Sequence, residues 1–459
     1  MTSGFFSRAS TVAPPGFNRF QVPPAALAVH LCIGQVYAFS TFNLPLTKLI
    51  GITQSAPGDW NLKEVGWIFS IAILFLGSSA ALFGRWVERV GPRLSMFVSA
   101  LCFGSGFMVS ALGIHVHQLW LVYLGYGVLG GCGLGVGYIS PVSTLIKWFP
   151  DRPGMATGMA IMGFGGGALV AAPLSVLLMK HFATPQSAGV METFVTMGAI
   201  YFIFMMIGVF SVRVTPPDWK PEGWAPSSQP KGLITSANVA VDVAWKTPQF
   251  WLLWVVLCMN VTAGIGVLSQ ASPMIQEMFS GQITAITAAS FVGLLSLFNM
   301  GGRFVWATAS DYIGRRNTYM IFFVLGIALY ASVPTLGHSG SRALFTAAFC
   351  IILSMYGGGF STIPAYLRDV FGTFQVGAIH GRLLTAWSVA GVLGPVLVNY
   401  IRQAQIDSGV PKAQAYSVTM YIMCGLLFIG FLSNLSMRAV NPKYHFKGDT
   451  RAASDGGGH

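Results

Sequence analysis

Arg303 is the residue of this chain whose type and setting point most directly to chemistry. It stands in an apolar stretch, 283–309, about two helical turns before Asp311. A guanidinium stays protonated, and a charge inside hydrocarbon is costly, so Arg303 must face a cavity or a partner. The middles of the other apolar stretches carry no acid, and Glu64, Glu192 and Glu277 fall near stretch ends. An uncompensated cation in a cavity attracts an anion. A carboxylate suits it, because guanidinium can grip a carboxylate through two parallel hydrogen bonds. Asn299, one turn earlier on the same face, could hold a further oxygen or orient Arg303. The competing arrangement has Arg303 reaching for the interface or joining Asp311. His30 and His380 also lie in apolar stretches. Imidazole changes charge near neutral pH, so both are candidates for proton coupling.

Covalent chemistry finds no support. No Walker A, GxSxG or HExxH motif occurs, which removes an ATP-driven pump and the commoner hydrolases. Gly125-x-Gly127-x-x-Gly130 has dinucleotide spacing but lies inside an apolar stretch with no strand before it. Six cysteines (Cys32, Cys102, Cys132, Cys258, Cys350, Cys424) sit singly in apolar stretches and read as packing residues. The expectation is a non-enzyme without catalytic residue, metal or cofactor.

The elements that position Arg303 are membrane helices. Apolar residues make up 54% of the 459 and charged residues 9%, against about 25% charged in a soluble domain. Spanning needs ~20 mostly apolar residues. Twelve stretches qualify: 25–47, 64–84, 93–114, 119–147, 153–180, 191–213, 248–279, 283–309, 317–337, 342–370, 375–402 and 414–438. They are continuously apolar, which fits helices and excludes an alternating β-barrel. Counting both termini inside, inner segments hold 19 of the 26 Lys and Arg; Lys48, Lys63, Lys180, Arg342, Arg402 and Lys412 lie outside. That asymmetry orients the chain in the cytoplasmic (inner) membrane with both termini cytoplasmic, and accounts for the net charge of +12 without nucleic acid.

The expected organisation is a cytoplasmic tail (1–24), a first six-helix bundle (25–213), a cytoplasmic central loop (214–247), a second bundle (248–438) and a cytoplasmic tail (439–459). The first tail is broken by Pro14, Pro15, Pro23 and Pro24 and offers no cleavable signal. The central loop is polar and proline-rich, with Trp219 and Trp224 among charges, and suits a short helix on the membrane surface. The last tail ends Gly-rich and reads as unfolded. Glycines crowd the fourth and fifth spans and let helix backbones approach closely. Those flanking Pro141 and Pro364 are expected to permit bends in the fourth and tenth spans.

The two bundles repeat each other. Gly84, Glu88, Gly91 and Arg93 match Ala307, Asp311, Gly314 and Arg316 at an offset of 223 residues, and Pro141, Gly154 and Gly158 match Pro364, Gly377 and Gly381. Internal repeats of this kind build transporters with a site between the halves at mid-bilayer. The loops G-R-W-V-E-R-V-G-P-R (84–93) and A-T-A-S-D-Y-I-G-R-R (307–316) resemble the paired signature of the major facilitator superfamily, with Glu88 in place of the usual Asp and Ala307 in place of Gly. That resemblance implies twelve helices in two pseudo-symmetric bundles, and a charge latch made here by Glu88, Arg93, Asp311, Arg315 and Arg316. G-Q-V-Y-A-F-S (34–40), I-K-W-F-P-D-R-P-G-M-A-T-G (146–158) and F-N-M-G-G-R (298–303) are similar to the oxalate:formate antiporter group, related to the monocarboxylate transporters.

The group implies aromatics around the substrate on the tenth span, a pattern that Tyr356 and Phe360 fit; Gln35 and Tyr37 on the first span and Tyr126 and Tyr138 on the fourth are further candidates. Its dicarboxylate carriers place a lysine on the eleventh span, where this chain has Trp387. Two cations suit a dicarboxylate; one cation among aromatics suits a monocarboxylate. The expected function is alternating-access transport of a small monocarboxylate of the lactate, pyruvate or formate type. It would run by proton symport or anion exchange, in a functional monomer whose partners are substrate, lipid and possible co-transported protons. An oxalate:formate antiporter and a non-transporting membrane sensor on the same fold are the alternatives.

Overall fold

The computed structural model describes residues 4–217, 219–223, 233–235, 237–279, 282–283 and 285–446. Trp224 and the Gly-rich end of the tail, from 447 on, lie outside the described residues. The described chain is helical, with two isolated β-bridges, Val12–Val214 and Thr184–Ser187. We number the long helices α1 Arg19–Phe42, α2 Leu62–Val90, α3 Pro92–His115, α4 Leu119–Trp148, α5 Pro153–Phe182 and α6 Val190–Ser211. The second series is α7 Pro248–Met278, α8 Ala285–Ile313, α9 Arg315–His338, α10 Arg342–Phe371, α11 Val376–Asp407 and α12 Ser417–Leu435. Eleven are long and apolar enough to cross a bilayer by length and composition, and α8, the helix of Arg303, completes twelve.

The repeat seen in the sequence is a repeat of structure. α2, α3 and α4 share both bounds with α8, α9 and α10 once 223 residues are added. Gly91 and Gly314 separate α2 from α3 and α8 from α9, with φ of +83° and +85°. A left-handed backbone suits glycine and breaks each helix in one residue. The signature segments, read from sequence as loops, are therefore mostly helical. α2 and α8 run on to Val90 and Ile313, so Glu88 and Asp311 project from helix ends.

Several helices depart from regularity near the centre. α1 tightens to a 3₁₀ helix over Gly34–Phe42. A Cβ on Gly34 would meet the Phe164 backbone, which shows how closely α1 and α5 approach. α4 widens to a π-helical stretch over Tyr123–Gly130. The expected irregularity of α4 thus falls upstream of Pro141, while α10 stays α-helical through Pro364. α11 breaks for one residue at Leu384, whose N–H is shared between the His380 and Gly381 carbonyls.

The first and last described segments lie on one face, here termed the terminal face. The first segment is strapped to it. Arg19 forks onto Asp151 at 2.6 and 2.9 Å, and the Ala13 N–H donates to the Val214 carbonyl at 3.0 Å. Phe446 stacks on Phe374. The central segment contributes a short helix, Val241–Ala244, on this same face. The six cysteines are all free.

Candidate functional site

Arg303 is fully buried where α8 faces α1, α5 and α10. Its Nε donates to Asn299 Oδ1 at 3.1 Å, so Asn299 orients the guanidinium. Among the described residues neither Nη1 nor Nη2 has a hydrogen-bond partner. Three rings surround the charge instead: Phe360 at 5.2 Å, Phe164 at 5.6 Å and Tyr37 at 6.0 Å from its central carbon. Cation–π attraction of this kind contributes about 0.5–2 kcal/mol each, without supplying the acceptors two nitrogens lack. The Tyr37 and Tyr138 hydroxyls lie beside Arg303, near enough to interact with it though outside strict hydrogen-bond geometry.

The rings form a continuous cage drawn from both halves. Trp387 packs on Phe360 at 4.3 Å, Phe164 at 5.3 Å, Tyr138 at 5.4 Å and Tyr37 at 6.3 Å. Tyr356 lies 5.2 Å from Phe360, edge to face. Tyr138, Phe164, Tyr356, Phe360 and Trp387 are buried, whereas Tyr37 is partly exposed. Tyr37 reaches across the halves to Tyr356, hydroxyl to hydroxyl, at 3.1 Å.

Two expected site residues are turned elsewhere. Tyr126 donates to Gln35 Oε1 at 2.7 Å and packs with Phe39 and Phe107 inside the first bundle. Tyr126 satisfies only the Gln35 oxygen, Gln35 Nε2 finds no partner among the described residues, and neither side chain has a described contact to Arg303. Phe164 occupies the centre of the cage and was not foreseen. The signal was a lone large ring in the glycine run G-F-G-G-G, which lets α5 close on α8: a Cβ on Gly165 would meet Arg303.

The histidines border the cage. His30 stacks on Tyr138 at 5.3 Å, and its nitrogens face the Ala160 carbonyl at 2.6 Å and the Tyr138 carbonyl at 3.2 Å. His380 lies 5.8 Å from Tyr138 and neither nitrogen has a partner. Among the described residues no group of His, Cys, Asp and Glu could hold a metal.

The terminal face is shut by two matched contacts. Asp311 accepts from the Gly154 and Met155 N–H groups at 2.9 and 2.8 Å, capping α5 from the other half. Glu88 accepts from the Gly377 N–H at 3.1 Å, capping α11. The pairs are related by the same 223 residues. A carboxylate at a helix N-terminus contributes about 0.3–1 kcal/mol, up to ~2 when partly buried. Arg315 pairs with Asp311 and, at 3.4 Å, with Asp369; Lys147 pairs with Glu88 at 2.6 Å. Lys147 and Asp369 were not foreseen.

Two expected latch residues stand apart. Arg93 is drawn to the strapped N-terminal segment, donating to the Phe5 carbonyl at 3.0 Å and lying 4.6 Å from its ring. Arg316 donates to the Leu435 carbonyl at 2.6 Å. Each lies at the start of its helix; the Phe5 carbonyl also accepts from the Ser10 hydroxyl at 2.7 Å, whereas Leu435 ends α12. Asp242 of the short central helix adds a third bridge, to Arg85 and, at 2.9 Å, to Arg382.

The sequence model of the Major Facilitator Superfamily matches residues 25–395. The chain belongs to that superfamily. Among its relatives is the oxalate:formate antiporter of Oxalobacter formigenes, 24% identical and covering 83% of this chain and 84% of the antiporter. Apicoplast pyruvate carrier 1 of Toxoplasma gondii is 21% identical over 77% of this chain and 78% of its own. Monocarboxylate transporter 1 of Rattus norvegicus is 22% identical over 87% and 80%. The superfamily transporter FucP, solved in the outward conformation, superposes with a TM-score of 0.64 at 13% identity, covering 90% of this chain and 98% of FucP, and establishes the fold alone. Superfamily members of this kind are membrane transporters of small molecules and not enzymes.

Proposed function

We propose that this transporter carries a small monocarboxylate of the lactate, pyruvate or formate type by alternating access. Arg303 carries the reading: a buried guanidinium with two unpartnered nitrogens inside an aromatic cage shared by both halves. A carboxylate supplies two acceptors to those nitrogens and cancels the charge. One cation matches one negative charge, and Trp387 fills the place where a second cation would favour a dicarboxylate. The halves, 25–213 and 248–438 joined by 214–247, rock about the cage while the Asp311 and Glu88 contacts open and close the terminal face. That face lies in the cytoplasm by the distribution of Lys and Arg, the membrane is the cytoplasmic one, and the monomer is the working unit.

Proton symport and anion exchange both fit a site of this charge. For symport, His30 is the group we favour over His380. Both its nitrogens face carbonyl oxygens, and a singly protonated ring serves only one of them. Oxalate:formate exchange is the second reading, favoured by the Oxalobacter relative.

The test is uptake into proteoliposomes of labelled lactate, pyruvate, formate and oxalate, with and without an inward proton gradient, by wild type and Arg303→Ala. Monocarboxylate uptake that falls more than about tenfold in the variant supports the reading, since a hydrogen-bonded charge is worth ~1.5–3 kcal/mol. Oxalate uptake in exchange for internal formate, without lactate or pyruvate uptake, overturns it in favour of the second.

A further inference from the structure

The cage holds more donors than acceptors. Few acceptors remain: Asn299 Oδ1 takes the Arg303 Nε, one of the Tyr37 and Tyr356 hydroxyls accepts from the other, and the Tyr138 oxygen, beside Arg303, can accept as well as donate. Its free donors come from three helices. They are Nη1 and Nη2 of Arg303 on α8, the Tyr138 hydroxyl on α4 and Nε1 of Trp387 on α11, all buried and none with a hydrogen-bond partner among the described residues. A carboxylate engages the two Nη atoms and leaves the indole unsatisfied.

Trp387 is placed to use a further acceptor on the same molecule. Phe360 and Phe164 each touch both the indole and the guanidinium: 4.3 and 5.3 Å to the Trp387 ring, 5.2 and 5.6 Å to the Arg303 central carbon. Indole N–H donates and never accepts, and a buried donor without an acceptor destabilises whatever fills the space beside it. In an acid small enough for this cage, the carbon next to the carboxylate is where a further oxygen can sit.

We propose that Trp387 Nε1 donates a hydrogen bond to the C2 oxygen of the substrate, so the transporter selects 2-oxo and 2-hydroxy monocarboxylates over unsubstituted acids of the same length. This assignment rests on the monocarboxylate reading and sharpens it. The Tyr138 hydroxyl, which acts on Arg303 electrostatically, completes the donor set around the bound anion.

The measurement is kcat/KM for pyruvate and for propionate in proteoliposomes. The two acids share three carbons and a carboxylate and differ by the C2 oxygen. Wild type is compared with Trp387→Phe and with a form carrying the tryptophan isostere β-(3-benzothienyl)alanine at 387, where sulfur replaces the N–H and the ring shape is kept. The expected pyruvate-to-propionate ratio is on the order of tenfold or more in wild type and within about twofold of unity in both altered proteins. A wild-type ratio near unity with both acids carried overturns the Trp387 assignment alone. So does a ratio retained by the isosteric form, which also covers the case of a Trp387→Phe protein that fails to fold. Transport of neither acid, together with Arg303-dependent transport of another anion, overturns the monocarboxylate reading and this assignment with it.

Discussion

The Tyr37 and Tyr356 hydroxyls meet at 3.1 Å across the two halves, and the Tyr37 ring also flanks the caged Arg303 guanidinium. One ring comes from the 3₁₀ portion of α1 and the other from α10. The pair ties the halves together beside the one partly exposed ring of the cage. Tyr356→Phe keeps the ring and removes the bond. The net worth of such a bond is about 0.5–1.5 kcal/mol, so the apparent KM for substrate uptake is expected to rise about two- to tenfold. An unchanged or lower KM would show that the pair does not help close the loaded cage.

The matched caps on the terminal face should behave as equals. Asp311→Asn and Glu88→Gln each remove a full charge from a helix N-terminus and leave an amide oxygen behind. Each is expected to shift the balance toward an open terminal face by about 0.3–1 kcal/mol, and the double variant by more than either. Distances between spin labels at the terminal ends of α2 and α11 report the shift. A double variant no more open than a single would show that one cap alone holds the face.

A lysine at 387 should change the class of anion accepted. Trp387→Lys adds a second cation beside Arg303, and two like charges in a buried space need two negative charges to fill it. Inhibition by oxalate is expected to strengthen and lactate uptake to weaken, read by competition in proteoliposomes. Unaltered selectivity would mean that residue 387 does not face the substrate.

The strapped first segment should show its own pH dependence. Partial burial works against the Asp151 charge, but the Arg19 fork, a backbone hydrogen bond and the charges of Arg19 and Arg152 together hold its carboxyl below the ordinary 3.8. A carboxylate with a depressed folded value stabilises fully above the unfolded value, and that contribution is lost as pH falls through the folded one. The pair is about four-fifths buried, so its worth is modest. Asp151→Asn is expected to lower the unfolding temperature of the detergent-solubilised protein at pH 6–7, and the difference from wild type to shrink below about pH 4. A gap that persists at low pH would assign the effect to packing.

Much of the fold was legible because lipid imposes it. Long apolar runs, a Lys and Arg asymmetry and a repeat at constant offset leave few alternatives, and the shared bounds of α2–α4 and α8–α10 follow from the same repeat. Arg303 was legible because a lone charge in an apolar run needs a cavity. The partners of Asp311 and Glu88 were not. Sequence pairs acids with arginines, and Arg315 does pair with Asp311, but the contacts that join the halves are to backbone N–H groups of α5 and α11, which carry no residue signature. Phe164 and Tyr126 changed places in importance for a different reason. A helix apolar on every side has no amphipathic period to fix its rotation, so which ring faces the centre emerges only from packing. Glycines on α5 turn Phe164 inward, while the π-helical stretch of α4 turns Tyr126 toward Gln35.

The uncompensated guanidinium also bears on energetics at the level of the whole membrane. Under the proposed anion-exchange reading, Arg303 and its cargo would be neutral together, and the empty carrier would turn over as a cation. Membrane voltage acts on a moving charge with ~2.3 kcal/mol per 100 mV for a full crossing, and on a neutral pair not at all. The empty return is therefore the voltage-sensitive half of the cycle. A cell that holds its interior negative draws the bare site inward and resists its return, so a second anion waiting inside becomes the easiest way back.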